Sequence, residues 1–388
     1  MRDAIFVAAP NVIERLHLWI EDPDSERGRK VEHVLVRYFS RMTGRATPFG
    51  LFAGISTGVI SDQTNLVIGG REHYRRHSRL DMDYLFALVD AITRDASLRS
   101  SLKFYPNSSL YYAADRVRCV ESRLKEKVRS YHLVAVEETD YLTATIARAR
   151  LGATPEALAA ALVDDEITLD EAREYIAELI DSQILAPEIA LNVSGPEPVH
   201  PLIEILRQRI ETTEIATTLQ RASEEIESID RDGVGVDAEP YQQIARTLES
   251  LPTKVDLSRL FQVDMFKPAP FATLGPEVIR EITRGVEILH SLSTPPGYSE
   301  LTRFREAFSK RYEDREVSLV EALDEEIGVG FGPSEENSPL NKDLIFPAAA
   351  EDGRIDNNRQ AYMLRKLCEA ISTGAYEVNI DSSELEEI

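Results

Sequence analysis

Between residues 105 and 195 the sequence changes its periodicity in an order that few folds accommodate. The stretch SSLYYAADRVRCVESRLKEKVRSYHLVAVEE alternates as the two strands of a hairpin do. Three helices are predicted to follow, over residues 139–151, 154–163 and 168–182. The last has Thr168 and Glu171 at capping-box spacing, and ILAPEIALNV then predicts a closing strand. Two strands, three helices and a strand are typical of a winged-helix-like unit.

The third predicted helix of this unit, TLDEAREYIAELIDSQ, bears on what the unit binds. Its acidic residues are Asp170, Glu171, Glu174, Glu178 and Asp181, against a single basic residue, Arg173. A winged helix often suggests DNA binding, but such a helix would repel a phosphate backbone. The composition favours peptide binding by strand addition at the edge of the wing.

The rest of the chain predicts an α+β fold with helices and small antiparallel sheets. Residues 1–20 suggest a short strand and then a helix from near Asn11, and Ser25 to Met42 form an amphipathic helix that Gly44 and Pro48 end. We expect three parts: 1–104 as a first part with the basic motif, 105–195 as an inserted winged-helix-like unit, and 196–388 as the helical and α+β continuation of the first part. Residues 333–360 are polar and are predicted to be rich in loops.

Charge is distributed unevenly along the chain. The net charge of −23 argues against a nucleic-acid partner. Residues 26–80, however, carry ten Lys or Arg against four Asp or Glu, a balance of +6, which leaves −29 for the remainder. The sequence therefore predicts a basic N-terminal region on an acidic body.

Several classes of protein are excluded by composition. No apolar run approaches the roughly 20 residues that a membrane-spanning helix needs, and the N-terminus lacks the pattern of a secretory signal. We therefore expect a cytoplasmic protein. Its two cysteines, Cys119 and Cys368, support neither a disulfide framework nor a cysteine zinc site, and no metal site is expected.

The stretch RYFSRMTGRATPFGLFAG, residues 37–54, has the composition of an anion site. Arg37, Arg41 and Arg45 recur at helical spacing and lie on one face just before a glycine-rich turn. Guanidinium groups in line can grip a carboxylate or phosphate, and a glycine turn lets backbone N–H groups approach it. Spacing alone leaves a solvated helix face as the alternative.

Two further regions carry candidate binding residues. The stretch GGREHYRRHSRLDMDY combines basic and aromatic residues, as RNA-binding surfaces do, although an exposed hairpin tip would have the same letters. Asp81 follows it and could be a helix N-cap or could receive an ammonium group. Asp264, within the apolar LFQVDMF, is predicted to be partly buried and to need a cationic or hydrogen-bonding partner.

Four of these motifs, in this order, carry a resemblance to a known family: RYFSRMTGRATPFGLFAG, RLDMDYL, LFQVDMF and REVSLVEALDEEIGVGFG. They are similar to the N-terminal domain of class I lanthipeptide dehydratases, the LanB-type enzymes of lantibiotic and thiopeptide biosynthesis. The resemblance covers nearly the whole chain. In that family this domain transfers glutamate from glutamyl-tRNA to Ser or Thr side chains of a precursor peptide, and a separate domain then eliminates it.

The resemblance implies roles for individual residues. Its arginine-arginine-threonine motif falls on Arg41, Arg45 and Thr47, and its two aspartates fall on Asp81 and Asp264. We expect the arginines to contact a carboxylate or oxyanion, the threonine to relay or position a hydroxyl, and the aspartates to receive an ammonium or orient an arginine. Binding of the tRNA is assigned to five other arginines: Arg37, Arg71, Arg75, Arg76 and Arg79.

The resemblance also implies partners. The winged-helix-like unit would recognise the leader of the precursor peptide, and glutamyl-tRNA would serve as co-substrate without any further cofactor. Because the matching region stops before the family's domain ends, we expect a second chain or further region to supply the rest and the elimination domain, with a homo-oligomer possible. Two alternatives stay open: a leader-binding scaffold without catalysis, and an aminoacyl-tRNA-dependent peptide ligase of the same superfamily.

Overall fold

The protein divides into two compact units in a computed structural model that describes residues 1–113, 115–125, 128–293, 300–331, 358–381 and 384. Unit 1 comprises residues Met1–Ile60 and Asn65–Thr273, and unit 2 comprises Ser61–Thr64 and Leu274–Ile388. The predicted loop over 333–360 lies almost wholly outside the described residues. Among the described residues, no helix is both long enough and apolar enough to cross a membrane.

Unit 1 holds most of the secondary structure. Its helices are α1 Arg2–Ala8, α2 Pro10–Glu14, α3 Leu16–Glu21, α4 Glu26–Gly44, α5 Met82–Arg94, α6 Ala96–Arg99, α7 Asp140–Ala149, α8 Pro155–Ala160, α9 Leu169–Asp181, α10 Val199–Arg207, α11 Thr213–Arg231 and α12 Glu239–Leu248. The strands are β1 Val59–Ile60, β2 Asn65–Val67, β3 Arg75–Leu80, β4 Phe104–Pro106, β5 Tyr111–Ala113, β6 Arg116–Lys125, β7 Val128–Glu137, β8 Leu185–Pro187, β9 Phe261–Phe266 and β10 Phe271–Leu274, the last residue of which belongs to unit 2. The α+β prediction is confirmed.

The strands of unit 1 form small sheets. Their orders are β1-β10-β2, β3-β9, β4-β8 and β5-β6-β7. The pairs β3-β9, β4-β8, β5-β6 and β6-β7 are antiparallel. One large apolar core of unit 1 includes Leu88, Ile92, Phe104, Leu219 and Tyr241, each without exposed surface.

The order of elements predicted for the winged-helix-like region is observed. Strands β6 and β7 form a hairpin, helices α7, α8 and α9 follow, and β8 closes the segment against β4. Helix α9 begins with the predicted capping box, in which Thr168 Oγ1 accepts from Glu171 N–H and Glu171 accepts from Thr168 N–H. Such reciprocal caps satisfy backbone donors that the helix cannot pair internally.

The strand predicted near the N-terminus is wrong, because that segment is helix α1. Ala4, Ile5 and Phe6 are buried on it, and Phe6 packs with its ring centroid 5.6 Å from that of Tyr241. A short apolar run of this kind has no periodicity that separates a strand from a buried helical turn. Its tertiary contacts therefore decided the outcome.

Unit 2 is helical in its described part. It contains α13 Pro276–Leu292, α14 Glu300–Tyr312, α15 Leu319–Leu323 and α16 Asn358–Thr373. Phe304, Phe308 and Tyr312 follow one another along α14 with tilted rings, and Phe331 meets Phe304 edge to face at 5.5 Å. The predicted final helix over 362–371 is confirmed by α16.

Candidate functional site

The predicted amphipathic helix of the basic motif is confirmed as α4. Ser25 caps it, since its Oγ accepts from the Gly28 N–H at 2.9 Å, and the backbone turns extended at Arg45. Arg37, Arg41 and Arg45 then line one groove of about 810 Å³, together with Phe49. Three guanidinium groups at the last turns of one helix give this groove a strong local positive charge on an acidic protein.

Arg41 is held against an aromatic ring. Its guanidinium carbon lies 4.2 Å from the centroid of the Phe49 ring, a cation–π contact, and Phe49 stacks in turn on Phe52. Arg41 is half-buried, and its Nε has no hydrogen-bond partner within the described part of the chain. Arg45 and Thr47 are exposed. The aromatic layer fixes Arg41 while leaving hydrogen-bond donors for an anion.

The glycine turn after the motif lies against strand β9. Ile55 N–H donates to the Met265 carbonyl at 2.8 Å, and Lys267 N–H donates to the Ile55 carbonyl at the same distance. A Cβ at Gly54 would lie 2.7 Å from the Met265 carbonyl oxygen, so this close approach requires glycine. The turn thereby joins the arginine groove to the strand that carries the second predicted aspartate.

Strand β9 pairs with β3, and this pairing places the candidate aspartate beside an arginine. Asp264 lies directly opposite His77, and Arg79 Nη1 is 3.0 Å from Asp264 Oδ2. Both side chains of the ion pair are 29% exposed. The predicted partial burial and cationic partner of Asp264 are confirmed, and the pair leaves each member partly open to a ligand.

Asp81 ends β3 and begins α5. Its N–H donates to the Leu260 carbonyl at 2.8 Å, and its Oδ1 accepts from the Asp83 N–H at 2.8 Å, which is the N-cap arrangement. The structure thus places Asp81 at the end of the strand pair that holds Asp264. Among the described residues, no hydrogen bond or ion pair links Asp81 or Asp264 to Arg41 or Arg45.

The five arginines assigned to tRNA occupy different environments. Arg37, Arg71 and Arg75 are exposed, whereas Arg79 forms an ion pair with Asp264. Arg76 requires a correction. Its side chain has no exposed surface, so it cannot reach a phosphate in this structure, and we remove it from the predicted tRNA-binding set.

Arg76 instead sits in a buried network on the other face of β3. Its Nη1 lies 3.2 Å from Asp3 Oδ2, its Nε lies 3.6 Å from Asp230 Oδ1, and its guanidinium covers the Tyr241 ring. Burial lowers the pKa of Arg76 from its ordinary value, and the two carboxylates oppose that shift. The alternation of a strand places Arg75, His77 and Arg79 on one face and Arg76 on the other.

Sequence reasoning missed three polar residues next to this site. His77 Nε2 lies 2.5 Å from Glu197 Oε1, and Asp230 Oδ2 accepts from the Ser78 N–H at 2.8 Å. Glu197 comes from SGPEP, which the sequence suggests is a boundary between segments, and Asp230 comes from the end of α11, which has the sequence of an ordinary acidic helix. No local motif marks them, since they reach β3 through tertiary packing.

Comparison with known proteins identifies the family. A family model described as lantibiotic dehydratase, N terminus, matches residues 1–388, and the chain belongs to this family. The subtilin biosynthesis protein SpaB of Bacillus subtilis is 22% identical over 378 residues, covering 95% of this chain and 35% of SpaB. The chain thus spans about a third of the length of such curated relatives. The resemblance expected from the motifs is confirmed.

Two solved structures share the fold. The tRNA-dependent lantibiotic dehydratase MibB from Microbispora sp. 107891 matches with a TM-score of 0.72 at 25% identity, over 100% of this chain and 38% of that one. The glutamylation domain TbtB, from thiomuracin biosynthesis, bound to 5'-phosphodesmethylglutamycin, matches with a TM-score of 0.56 at 16% identity, over 99% of this chain and 48% of that one. The second likeness concerns the fold alone.

Proposed function

We propose that this chain carries the glutamyl-transfer site of a lantibiotic dehydratase. Glutamate would pass from glutamyl-tRNA to a Ser or Thr hydroxyl of a precursor peptide. The observation that carries the proposal is the continuous path from the groove of Arg41 and Arg45, through the 49–55 turn, to the Arg79–Asp264 pair on β9. The groove provides cations for an anionic donor, and the ion pair provides a carboxylate close by.

The reaction is a transesterification. The hydroxyl oxygen attacks the ester carbonyl carbon, the bond from that carbon to the ribose oxygen breaks, and the hydroxyl proton ends on the ribose oxygen. Negative charge develops on the carbonyl oxygen in between, and a positioned guanidinium stabilises it. Arg41 is held by Phe49 with its Nε unpaired, and Arg45 is exposed at the same groove, so both suit this role. Thr47 remains the proposed hydroxyl relay.

The tRNA would bind through exposed arginines, of which Arg37 lines the groove. Arg37, Arg71 and Arg75 fit this role because their side chains reach solvent, and local positive charge compensates for the acidity of the whole chain. Arg79 orients Asp264 in this proposal and does not contact phosphate. Arg76 has no part in tRNA binding.

The leader of the precursor peptide would bind at the winged-helix-like region. Strand β7 pairs with β6 on one side, and no strand pairs with its other edge among the described residues. Tyr131 and Leu133 on β7 are 68% and 39% exposed. An added peptide strand would gain main-chain hydrogen bonds along that edge and side-chain contacts with these residues. A second chain or further region would supply the elimination step.

The test is transfer of labelled glutamate from glutamyl-tRNA to a Ser- and Thr-rich precursor peptide. We expect a glutamyl ester on the peptide, detected by mass spectrometry, and its loss in Arg45→Ala. The matched control is Arg148→Ala, an exposed arginine on α7. Transfer by Arg45→Ala at the normal rate would contradict the assignment. Binding of the peptide without any binding of glutamyl-tRNA would favour the scaffold alternative.

A further inference from the structure

A second groove, of about 420 Å³, lies between α2, α3 and α4 of unit 1. Its apolar residues are buried or half-buried and form the floor, whereas its cationic residues are exposed and form the rim. The floor consists of Val12, Leu18, Val31 and Val34, and the polar residues are Asn11, Arg15, Arg27 and Lys30. No acidic side chain of the described residues lines it. The groove therefore offers apolar contact and positive charge together.

The cations at the rim are available to a ligand. Lys30 Nζ lies 2.6 Å from Glu26 Oε1, in an exposed pair one turn apart on α4. No ion pair engages Arg15 or Arg27 in the part of the chain that the structure describes. Because an exposed pair such as Lys30–Glu26 contributes little free energy, Lys30 can exchange Glu26 for the carboxylate of a ligand.

This groove continues the arginine groove along α4. Val34 lines both grooves. Arg27, Lys30, Val34 and Arg41 follow one another at spacings of three, four and seven residues, so they lie along one side of the helix. At a rise of about 1.5 Å per residue, Lys30 and Arg27 lie about 17 Å and 21 Å from Arg41 along the helix axis. An extended peptide, at about 3.3 Å per residue, covers these distances in about five to seven residues.

The apolar floor distinguishes between two anionic ligands. A nucleic-acid backbone would use the cations but would gain nothing from the valine and leucine side chains. In addition, no aromatic residue within the described ranges lines the groove, so a base has no ring on which to stack. A peptide with apolar and acidic side chains uses both parts, because its apolar surface leaves water at the floor and its carboxylates meet the cations at the rim.

We propose that the groove between α2, α3 and α4 binds a segment of the precursor peptide that carries apolar and acidic side chains. This segment lies about five to seven residues from the Ser or Thr that reacts beside Arg41. Its apolar side chain packs on Val31 and Val34, and its carboxylates pair with Arg27 and Lys30. The inference rests on the proposed transfer to a precursor peptide. It makes the groove a determinant of which Ser and Thr residues are modified.

The test compares the binding of three short fluorescein-labelled peptides, each with a single Ser. In the first peptide one Leu and two Glu precede the Ser at that spacing, and in the second they follow it. In the third, Ala replaces the Leu and Gln replaces each Glu. Binding is measured by fluorescence anisotropy without tRNA. We expect one of the first two peptides to bind about tenfold more tightly than the third, the combined effect of a partly buried leucine and two partly exposed ion pairs.

Variants locate that preference in the groove. Arg27→Gln and Lys30→Gln should each reduce it about threefold and leave the binding of glutamyl-tRNA unchanged. The matched control is Arg29→Gln, which removes an exposed arginine from a different face of α4 and should retain the preference. Equal or undetectable binding of all three peptides would overturn the proposal, as would a preference that both groove variants retain. Weaker binding of glutamyl-tRNA by both variants, with an unchanged peptide preference, would assign the groove to the tRNA and also overturn it.

The peptide preference and the proposed function fail separately, because binding of the peptides requires no glutamyl transfer. Glutamyl transfer to a precursor peptide without any preference among the three peptides would refute the groove and leave the function intact. A preference that depends on Arg27 and Lys30, without any transfer of glutamate, would support the groove and refute the function in favour of the scaffold alternative.

Discussion

Replacing Arg76 with methionine removes the cation from a buried network of unit 1. The side chain of Arg76 is 0% exposed, and its two carboxylate partners, Asp3 and Asp230, are 6% and 18% exposed. Methionine fills much of the volume of the aliphatic stem, so the main loss is electrostatic. Two carboxylates would remain in the interior without their guanidinium, and the cation–π interaction with Tyr241 would disappear.

The magnitude follows from that burial. Breaking a buried ion pair by removing one partner costs about 3–5 kcal/mol, because the remaining charge is left uncompensated. Removing all three charges should cost less. In the triple variant Arg76→Met, Asp3→Asn, Asp230→Asn the amide oxygens still accept from Gly235 N–H and Ser78 N–H. We therefore expect the triple variant to recover about half of the lost free energy of unfolding or more.

The assay is urea unfolding at 25 °C followed by the fluorescence of Trp19, the one tryptophan of the chain, which lies in α3 of unit 1. With a slope of about 3 kcal/mol per molar urea, the loss would lower the midpoint by roughly 1 M or more. The neighbouring substitution Arg75→Met, on the exposed face, should change the free energy of unfolding by less than about 0.5 kcal/mol. A loss below about 1 kcal/mol in Arg76→Met, or no recovery in the triple variant, would refute this reasoning.

Three further outcomes can be measured directly. Arg37→Gln should weaken glutamyl-tRNA binding and make the plot of log K against log salt shallower by roughly 0.7 to 0.9 for each phosphate that this exposed side chain no longer neutralises, whereas Arg148→Gln should change neither. Gly54→Ala should lower the free energy of unfolding by about 1–3 kcal/mol, because the new Cβ would meet a backbone carbonyl. The control is Gly44→Ala, whose new Cβ has nothing within 4 Å and which should not destabilise the protein. Burial raises the pKa of the Cys119 thiol to about 11. Iodoacetamide at pH 8 should therefore label the exposed Cys368 and leave Cys119 unmodified, as measured by mass spectrometry. Equal labelling of the two cysteines would contradict the burial of Cys119.

Much of the local structure could be predicted from residue spacing. The apolar period of α4 and the capping box of Thr168 and Glu171 are both observed where the sequence places them. These features act between residues three or four apart, so a single segment carries the whole signal. The partial burial of Asp264 was predicted for a similar reason, because its neighbours in the chain are apolar.

Other features depend on which distant segment packs against a given residue. The stretch RRHSRL has no apolar alternation, so its letters do not show which arginines face outward. Strand β9 on one edge of β3 and α11 on the other decide that Arg76 turns inward and that Arg79 meets Asp264. The same holds for α1, whose apolar run is equally compatible with a strand.

By itself, therefore, the sequence determined the class of fold, the family and the position of the basic helix, because periodicity, caps and motif letters are local. Only the tertiary structure decided the chemistry of the site. In the folded protein Asp264 forms an ion pair with Arg79, the side chain of Arg76 is buried, and Glu197 and Ser223 line a cavity beside β3. The physical reason is that the charge state and hydrogen-bonding needs of a side chain are set by the groups that surround it in space, and these come from segments far apart in the chain.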